Sequence, residues 1–138
     1  MAEHTASDLW TVAQTVWGES RGEPQEGQVG VAYVVLNRQR VHPRWQGQTL
    51  SAICLSPYQF SCWNASDPNA PRLVTLRVTS PGFAACLRVA LDVLTGAVPS
   101  PCGQATHYYA GSIPPPRWAQ GHTPCITIGA HRFFERIA

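Results

Sequence analysis

The run Val29–Leu36, VGVAYVVL, narrows most what this chain can fold into. Val29, Ala32, Tyr33 and Leu36 fall at i, i+3, i+4 and i+7, the inward stripe of a helix. Val31, Val34 and Val35 widen that stripe, which predicts a helix buried on most sides. Glu23-Pro24 opens it, since proline suits the first helical position and an acid there complements the helix dipole. Its end falls at about Arg38 to Val41. Composition can supply the surroundings such a helix needs. The 138 residues are 44% apolar and only 13% charged, which makes the chain globular rather than disordered. One domain of this length buries roughly two thirds of its unfolded surface.

The other elements follow from spacing. Leu9, Val12, Ala13, Val16 and Trp17 form one face of a first helix, with Thr5 or Ser7 as its cap and an end near Trp17–Ser20. Residues 1–6 read as a flexible terminus. Leu50–Cys54 predicts a short helix, SPYQFSCWN an extended or looped stretch, and ASDPNAPR a loop. Ser80-Pro81 begins a further helix with Phe83, Leu87, Ala90, Leu91 and Leu94 inward, and Gly96 closes it. The last third reads as short extended pieces around a proline turn. The fold class is therefore α+β, mainly helical, with short strands in the last third.

Several function classes lose ground on composition. Net charge is +2, lysine is absent and the ten basic residues are scattered arginines, so nucleic acid is not an expected partner. No apolar run nears the ~20 residues that span a bilayer, so no membrane partner is expected either. The start, MAEHTASDLW, shows no secretory signal. Five cysteines without a CxxC read as reduced thiols, although Cys54 and Cys62 could bridge in an oxidising compartment. Cys102, His107, His122 and Cys125 miss the common zinc spacings, so no metal and no cofactor is expected.

The chemistry concentrates in TVWGESRGEPQEGQV, where Glu19, Glu23 and Glu26 supply three of only eight acids. Glu26 reads as a solvated residue of the second helix's first turn, and Glu23 as a helix-start residue with a secondary catalytic role open to it. Glu19 follows Trp17 and Gly18 at a helix C-terminus, where carbonyls and apolar neighbours disfavour its charge. An acid kept protonated can hand a proton to a leaving oxygen.

TVWGESRGEPQEGQVGVAYVVLNR resembles the opening motif of the SleB-like cell-wall hydrolases, which include spore-cortex lytic enzymes and phage-borne relatives. The matching blocks are Trp17–Glu23, Glu26–Val29 and Leu36–Arg38. Tyr58–Trp63, YQFSCW, resembles the family's Gln-Phe-Ser segment, and ATHYYAG, Trp118 and IGAHRFF its closing block. The resemblance implies a lysozyme-like fold and cleavage of the β-1,4 link between N-acetylmuramic acid and N-acetylglucosamine, with Glu19 as the catalytic acid. Peptidoglycan glycan strands are then the partner, and a monomer is expected. Tyr58, Gln59, Ser61, Trp63, Tyr108, Tyr109 and Trp118 become candidates to stack on sugars and hydrogen-bond their acetamido groups. His107 is a secondary candidate, and His107 and His131 are read first as structural histidines, as is Arg21.

Asp67 and Asp92 are the leading remaining acids, and neither looks reserved for a site. One privileged acid favours a lytic transglycosylase, which leaves 1,6-anhydro ends, over a hydrolytic muramidase needing two carboxylates. A metal-dependent amidase or peptidase, which would need a motif such as HExxH, and a non-catalytic wall-binding module stay as alternatives. The chain reads as a bare catalytic unit made in the cytoplasm. It would act on the wall from the periplasm or from a virion, as a phage lysis or wall-penetration enzyme does.

Overall fold

The computed structural model describes residues 4–138. Five helices come first: α1 (Ala6–Ser20), α2 (Gln25–Val41), α3 (Leu50–Leu55), α4 (Ala70–Leu73) and α5 (Phe83–Leu94). Three strands follow: β1 (His107–Ala110), β2 (Ile126–Ile128) and β3 (His131–Phe134). They form an antiparallel sheet of order β1–β3–β2, with Tyr108 opposite Phe133 and Ala110 opposite His131. The helical body and late small sheet are those the sequence predicts. No helix among the described residues is long and apolar enough to cross a membrane.

α2 is the hub, with every residue from Gly27 to Arg38 buried. α1, α3, α5 and β1 pack around it, as an apolar stripe that wide requires. A β-carbon on Gly30 would come within 2.8 Å of the Phe133 ring, so only a bare backbone lets the sheet lie this close to α2. At the helix's end Asn37 Nδ2 donates to the carbonyls of Gly103 (3.1 Å) and Ala105 (3.0 Å). Arg38 Nε donates to that of Thr106 at 2.8 Å. The Leu-Asn-Arg motif thus grips the strand that carries Tyr108.

α1 begins with a reciprocal cap. Thr5 Oγ1 accepts from the Asp8 amide, and Asp8 Oδ2 accepts from the Thr5 amide, each at 3.1 Å. Asp8 Oδ1 also takes the Ser51 amide and hydroxyl, at 3.0 and 2.8 Å, which ties the start of α3 to α1. Of the terminus expected to be flexible, residues 1–3 lie outside the described residues, while Thr5 and Ala6 are the cap and first residue of α1.

Two expectations need correction. ASDPNAPR is not loop throughout, because it runs into the single turn α4, with proline in its first positions. The buried face of α5 is Phe83, Cys86, Val89, Ala90 and Val93, while Leu91 is 44% exposed. In a helix this apolar, two adjacent stripes satisfy the same period, and packing against α1 and α2 selects the one with the smaller residues.

Candidate active site

Glu19 sits in the last turn of α1 and lines a groove of about 370 Å³. Two distant segments close on its carboxylate. From the turn Ser61–Trp63, the Cys62 amide donates to Oε2 at 3.0 Å and the Ser61 hydroxyl at 3.3 Å. From β1, the Tyr108 hydroxyl donates to Oε1. Burial, and then the adjoining carboxylate, hold the Tyr108 phenol far above its usual value, so it keeps its proton and remains a donor.

Gly18 makes the Cys62 contact possible. A β-carbon there would stand 2.7 Å from Cys62 Cβ and 2.8 Å from its Sγ, closer than atoms can pack. Gly18→Ala is therefore expected to push the Ser61–Trp63 turn outward and draw the Cys62 amide off Glu19. A loss of roughly 1–3 kcal/mol in stability, from overpacking, should follow. Thermal unfolding reads the effect, and an alanine variant that matches the parent would show that the approach is not constrained.

The rest of the opening motif builds the corner that holds Glu19. The Gln28 amide Nε2 donates to the carbonyls of Ser20 (3.2 Å), Arg21 (3.3 Å) and Glu23 (3.4 Å), groups that the end of α1 leaves open. Arg21 holds the α4 loop: it donates to Asn69 Oδ1 at 3.0 Å and to the Trp17 carbonyl at 3.1 Å, with its guanidinium 3.9 Å above the Trp17 ring. It is structural, as the sequence suggests, and pairs with neither Glu23 nor Glu26. Glu26 is exposed at the start of α2. Glu23 does not reach the groove. Its Oε1 accepts from the Ala130 amide at 2.8 Å and fixes the turn between β2 and β3.

Of the predicted sugar-binding residues, Tyr58, Gln59, Ser61, Tyr108 and Tyr109 all line the groove with Glu19. Tyr58 is 86% exposed and holds φ of 62°, a left-handed backbone rare for a bulky residue and of the kind stored at functional sites. Trp63 and Trp118 are not among the lining residues. Trp63 Nε1 donates to Thr15 Oγ1 at 3.0 Å and its ring packs on the main core. Trp118 belongs to a small satellite cluster with Tyr109, Ala119, Phe134 and Ile137. The Trp17 indole donates to the Pro81 carbonyl at 2.9 Å, towards α5.

His107 is structural. It bonds Thr106 Oγ1 at 2.9 Å and lies among the rings of Trp45, His42 and Trp118. Burial, then the cations of Arg38 and its neighbours, push it down to about 3, so it is neutral at working pH. Among the described residues no three His, Cys, Asp or Glu side chains come together to hold a metal ion. Cys54 and Cys62 are free, buried thiols, and burial pushes Cys54 up to about 12.

Three groove residues escaped the sequence reading. Arg38 is buried, sandwiched over Trp45 and Phe60 at 4.2 and 4.8 Å, and donates to Gln59 Oε1 at 3.2 Å. Burial pushes it down to about 10, which leaves it a cation in the groove that Glu19 also lines. Its signal was a charge placed next to a fully apolar helical run. His131 lines the groove from β3. Asp67 lines it too, with Oδ1 accepting from the Asn69 amide at 2.8 Å. Asp67, which does not look reserved for a site in the sequence, reaches the groove because the α4 loop folds back over the end of α1. Asp92 does stand apart, paired with Arg88 on α5 at 3.1 Å.

Known proteins show the same arrangement of chain. The family described as Cell Wall Hydrolase matches residues 22–134. The spore cortex-lytic enzyme of Halalkalibacterium halodurans is 30% identical over 96% of this chain and 36% of its own length. That of Bacillus subtilis is 29% identical over 94% of this chain and 38% of its own length. The chain thus spans well under half the length of these relatives. Among solved structures, the catalytic domain of the Bacillus cereus SleB protein superposes with a TM-score of 0.77 at 28% identity, covering 98% of this chain and 94% of that one. The catalytic domain of the germination-specific lytic transglycosylase SleB from Bacillus anthracis gives 0.77 at 27% identity, covering 98% and 99%.

Proposed function

The chain belongs to the cell wall hydrolase family, and on that premise we propose that it cleaves peptidoglycan glycan strands between N-acetylmuramic acid and N-acetylglucosamine, as a lytic transglycosylase with Glu19 as acid and then base. The observation that carries this reading is the convergence on one groove-lining carboxylate of the Tyr108 hydroxyl, the Ser61 hydroxyl and the Cys62 amide.

The chemistry needs one group that gives a proton and then takes one. Protonated Glu19 donates to the glycosidic oxygen, and the C1–O4 bond breaks with its electron pair on the departing N-acetylglucosamine. The muramic 6-hydroxyl then closes on C1 and gives its proton to the Glu19 carboxylate. A C1–O6 bond forms, no water is consumed and the acid is regenerated. Tyr108 and Ser61 suit both stages, because a hydroxyl can turn its hydrogen to the carboxylate or its oxygen to the acid. The Cys62 amide, a fixed donor, favours the ionised form once the proton has left. Arg38 adds a nearby positive charge and holds Gln59 towards the groove. Tyr58 offers an apolar face with a polar tip, the type of surface on which pyranose rings stack.

A second reading, a hydrolytic muramidase on the same bond, gains support from Asp67, which supplies a second carboxylate to the groove. Mass spectrometry of the muropeptides released from purified peptidoglycan separates the two. The transglycosylase gives 1,6-anhydro ends, and Asp67→Asn leaves product and rate within about threefold of the parent. Products carrying the mass of water, with activity abolished in Asp67→Asn, would replace the first reading by the second.

A further inference from the structure

We propose that His131 is a substrate-binding residue, whose Nε2–H donates to an oxygen of the amino sugar lying across Glu19; this rests on the function proposed above.

The ring is only 7% exposed, lines the groove, and packs against Tyr108, the residue that bonds Glu19, at a tilt of 56° with centroids 4.8 Å apart. Its Nδ1 is sealed from solvent and has no hydrogen-bond partner among the described residues. Nε2 has none among them either, yet it is not sealed, so it is the nitrogen that opens to the groove. The contrast with His42 is direct. There Nδ1 accepts from the Arg44 amide at 3.1 Å and Nε2 reaches the Ile137 carbonyl at 3.1 Å, both nitrogens serving the fold. A ring that serves the fold alone would be expected to spend its nitrogens on the fold as His42 does, whereas His131 leaves Nε2 to a ligand.

The tautomer follows from the same geometry. A neutral imidazole carries one N–H and one bare nitrogen. Sealing the bare nitrogen forfeits less than sealing the N–H, since orphaned donors are the rarer and costlier case. The proton therefore sits on Nε2 and faces the groove as a donor. Burial favours the neutral ring over the imidazolium, although Glu23 and Glu19 lie near enough to oppose that. What a lone N–H at this place can take is an acceptor oxygen, which an acetamido carbonyl or a sugar hydroxyl supplies. The ring is also held for the task. Glu23 fixes the Ala130 amide just before it, and β3 alternation sends Arg132 the other way, to Tyr109 Oη at 3.3 Å. The second glutamate of the motif thus works through His131, while the first works on the bond.

The test separates binding from turnover. In a Glu19→Gln background, which should bind without cutting, calorimetry with purified soluble glycan fragments of alternating N-acetylglucosamine and N-acetylmuramic acid gives the affinity. His131→Phe keeps the ring and its packing but loses the donor, and binding should weaken about tenfold, the loss of one buried hydrogen bond. His131→Gln, which restores an N–H, should recover most of it. With Glu19 present, His131→Phe should raise KM by a similar factor and leave kcat within about twofold. Equal affinity for parent and Phe variants, or a loss confined to kcat, overturns the inference. Should the Phe variant fail to fold, 15N spectra of the parent decide: the Nε2–H resonance of His131 should shift when glycan is added, and an unmoved resonance refutes the proposal. These readouts follow binding, so they stand even where product analysis assigns the catalysis differently.

Discussion

Lowering the pH from 7.5 to 5 is expected to destabilise this protein steeply. Three histidines, His42, His107 and His131, are buried and held below the ordinary histidine value, in each case chiefly by burial. His107, pushed down to about 3, is the extreme. In the unfolded chain each ring titrates near pH 6.5. Below that pH the unfolded state takes up protons that the folded state refuses, so stability rises with pH across this window. The contribution is fully present above about pH 6.5 and is lost as the pH falls from there towards each folded value. For His107 the loss is roughly 1 kcal/mol per pH unit, and the other two rings add smaller amounts. Against a total stability of about 5–15 kcal/mol, that is a large share. Calorimetric Tm should therefore drop by several degrees per pH unit below 6.5, and a His107→Gln variant should show a shallower slope. A Tm that stays flat from pH 7.5 to 5 would mean that these rings are not buried in neutral form.

That network shows what sequence can and cannot carry. α2 was legible because seven apolar residues in one helix leave no exposed face, and packing can satisfy that only by surrounding it. The cap of α1 was legible because Thr5 and Asp8 stand three apart, where a capping box closes locally. Glu19 and its place at a helix end were legible for the same local reason. The groove was less so, because it is assembled over distance: Tyr108 lies 89 residues from the carboxylate it bonds, and Cys62 lies 43. Resemblance identified those blocks without fixing which side chains turn inward. Trp63, Trp118 and His107 occupy such blocks and face the core, since an aromatic ring gives the same signal whether it stacks on a sugar or on Phe134. Asp67 was missed for the opposite reason. Its loop has no periodicity, and long-range hydrogen bonds, from Arg21 to Asn69 and from Asn69 to the Gly18 carbonyl, bring it over the end of α1. Arg38 was visible as part of a motif, but its charge becomes meaningful only once Trp45, Phe60 and Gln59 are seen to enclose it.

The largest functional effect is expected at Glu19. Glutamine there has nearly the same shape, and its one oxygen, in the place of Oε2, still accepts from the Cys62 amide and the Ser61 hydroxyl. It can neither release a proton to a glycosidic oxygen nor accept one from a sugar hydroxyl. Loss of a general acid typically costs 10²–10⁴-fold, and in this groove no other carboxyl shares the Tyr108, Ser61 and Cys62 contacts. The fold should be unaffected, because Glu19 caps no helix and pairs with no buried cation. The decisive measurement is the rate at which parent and Glu19→Gln proteins, of matched Tm, release soluble fragments from purified peptidoglycan. A fall of about 10² or more is the predicted result; release at the parent's rate would contradict the assignment of Glu19 as the group that breaks the wall.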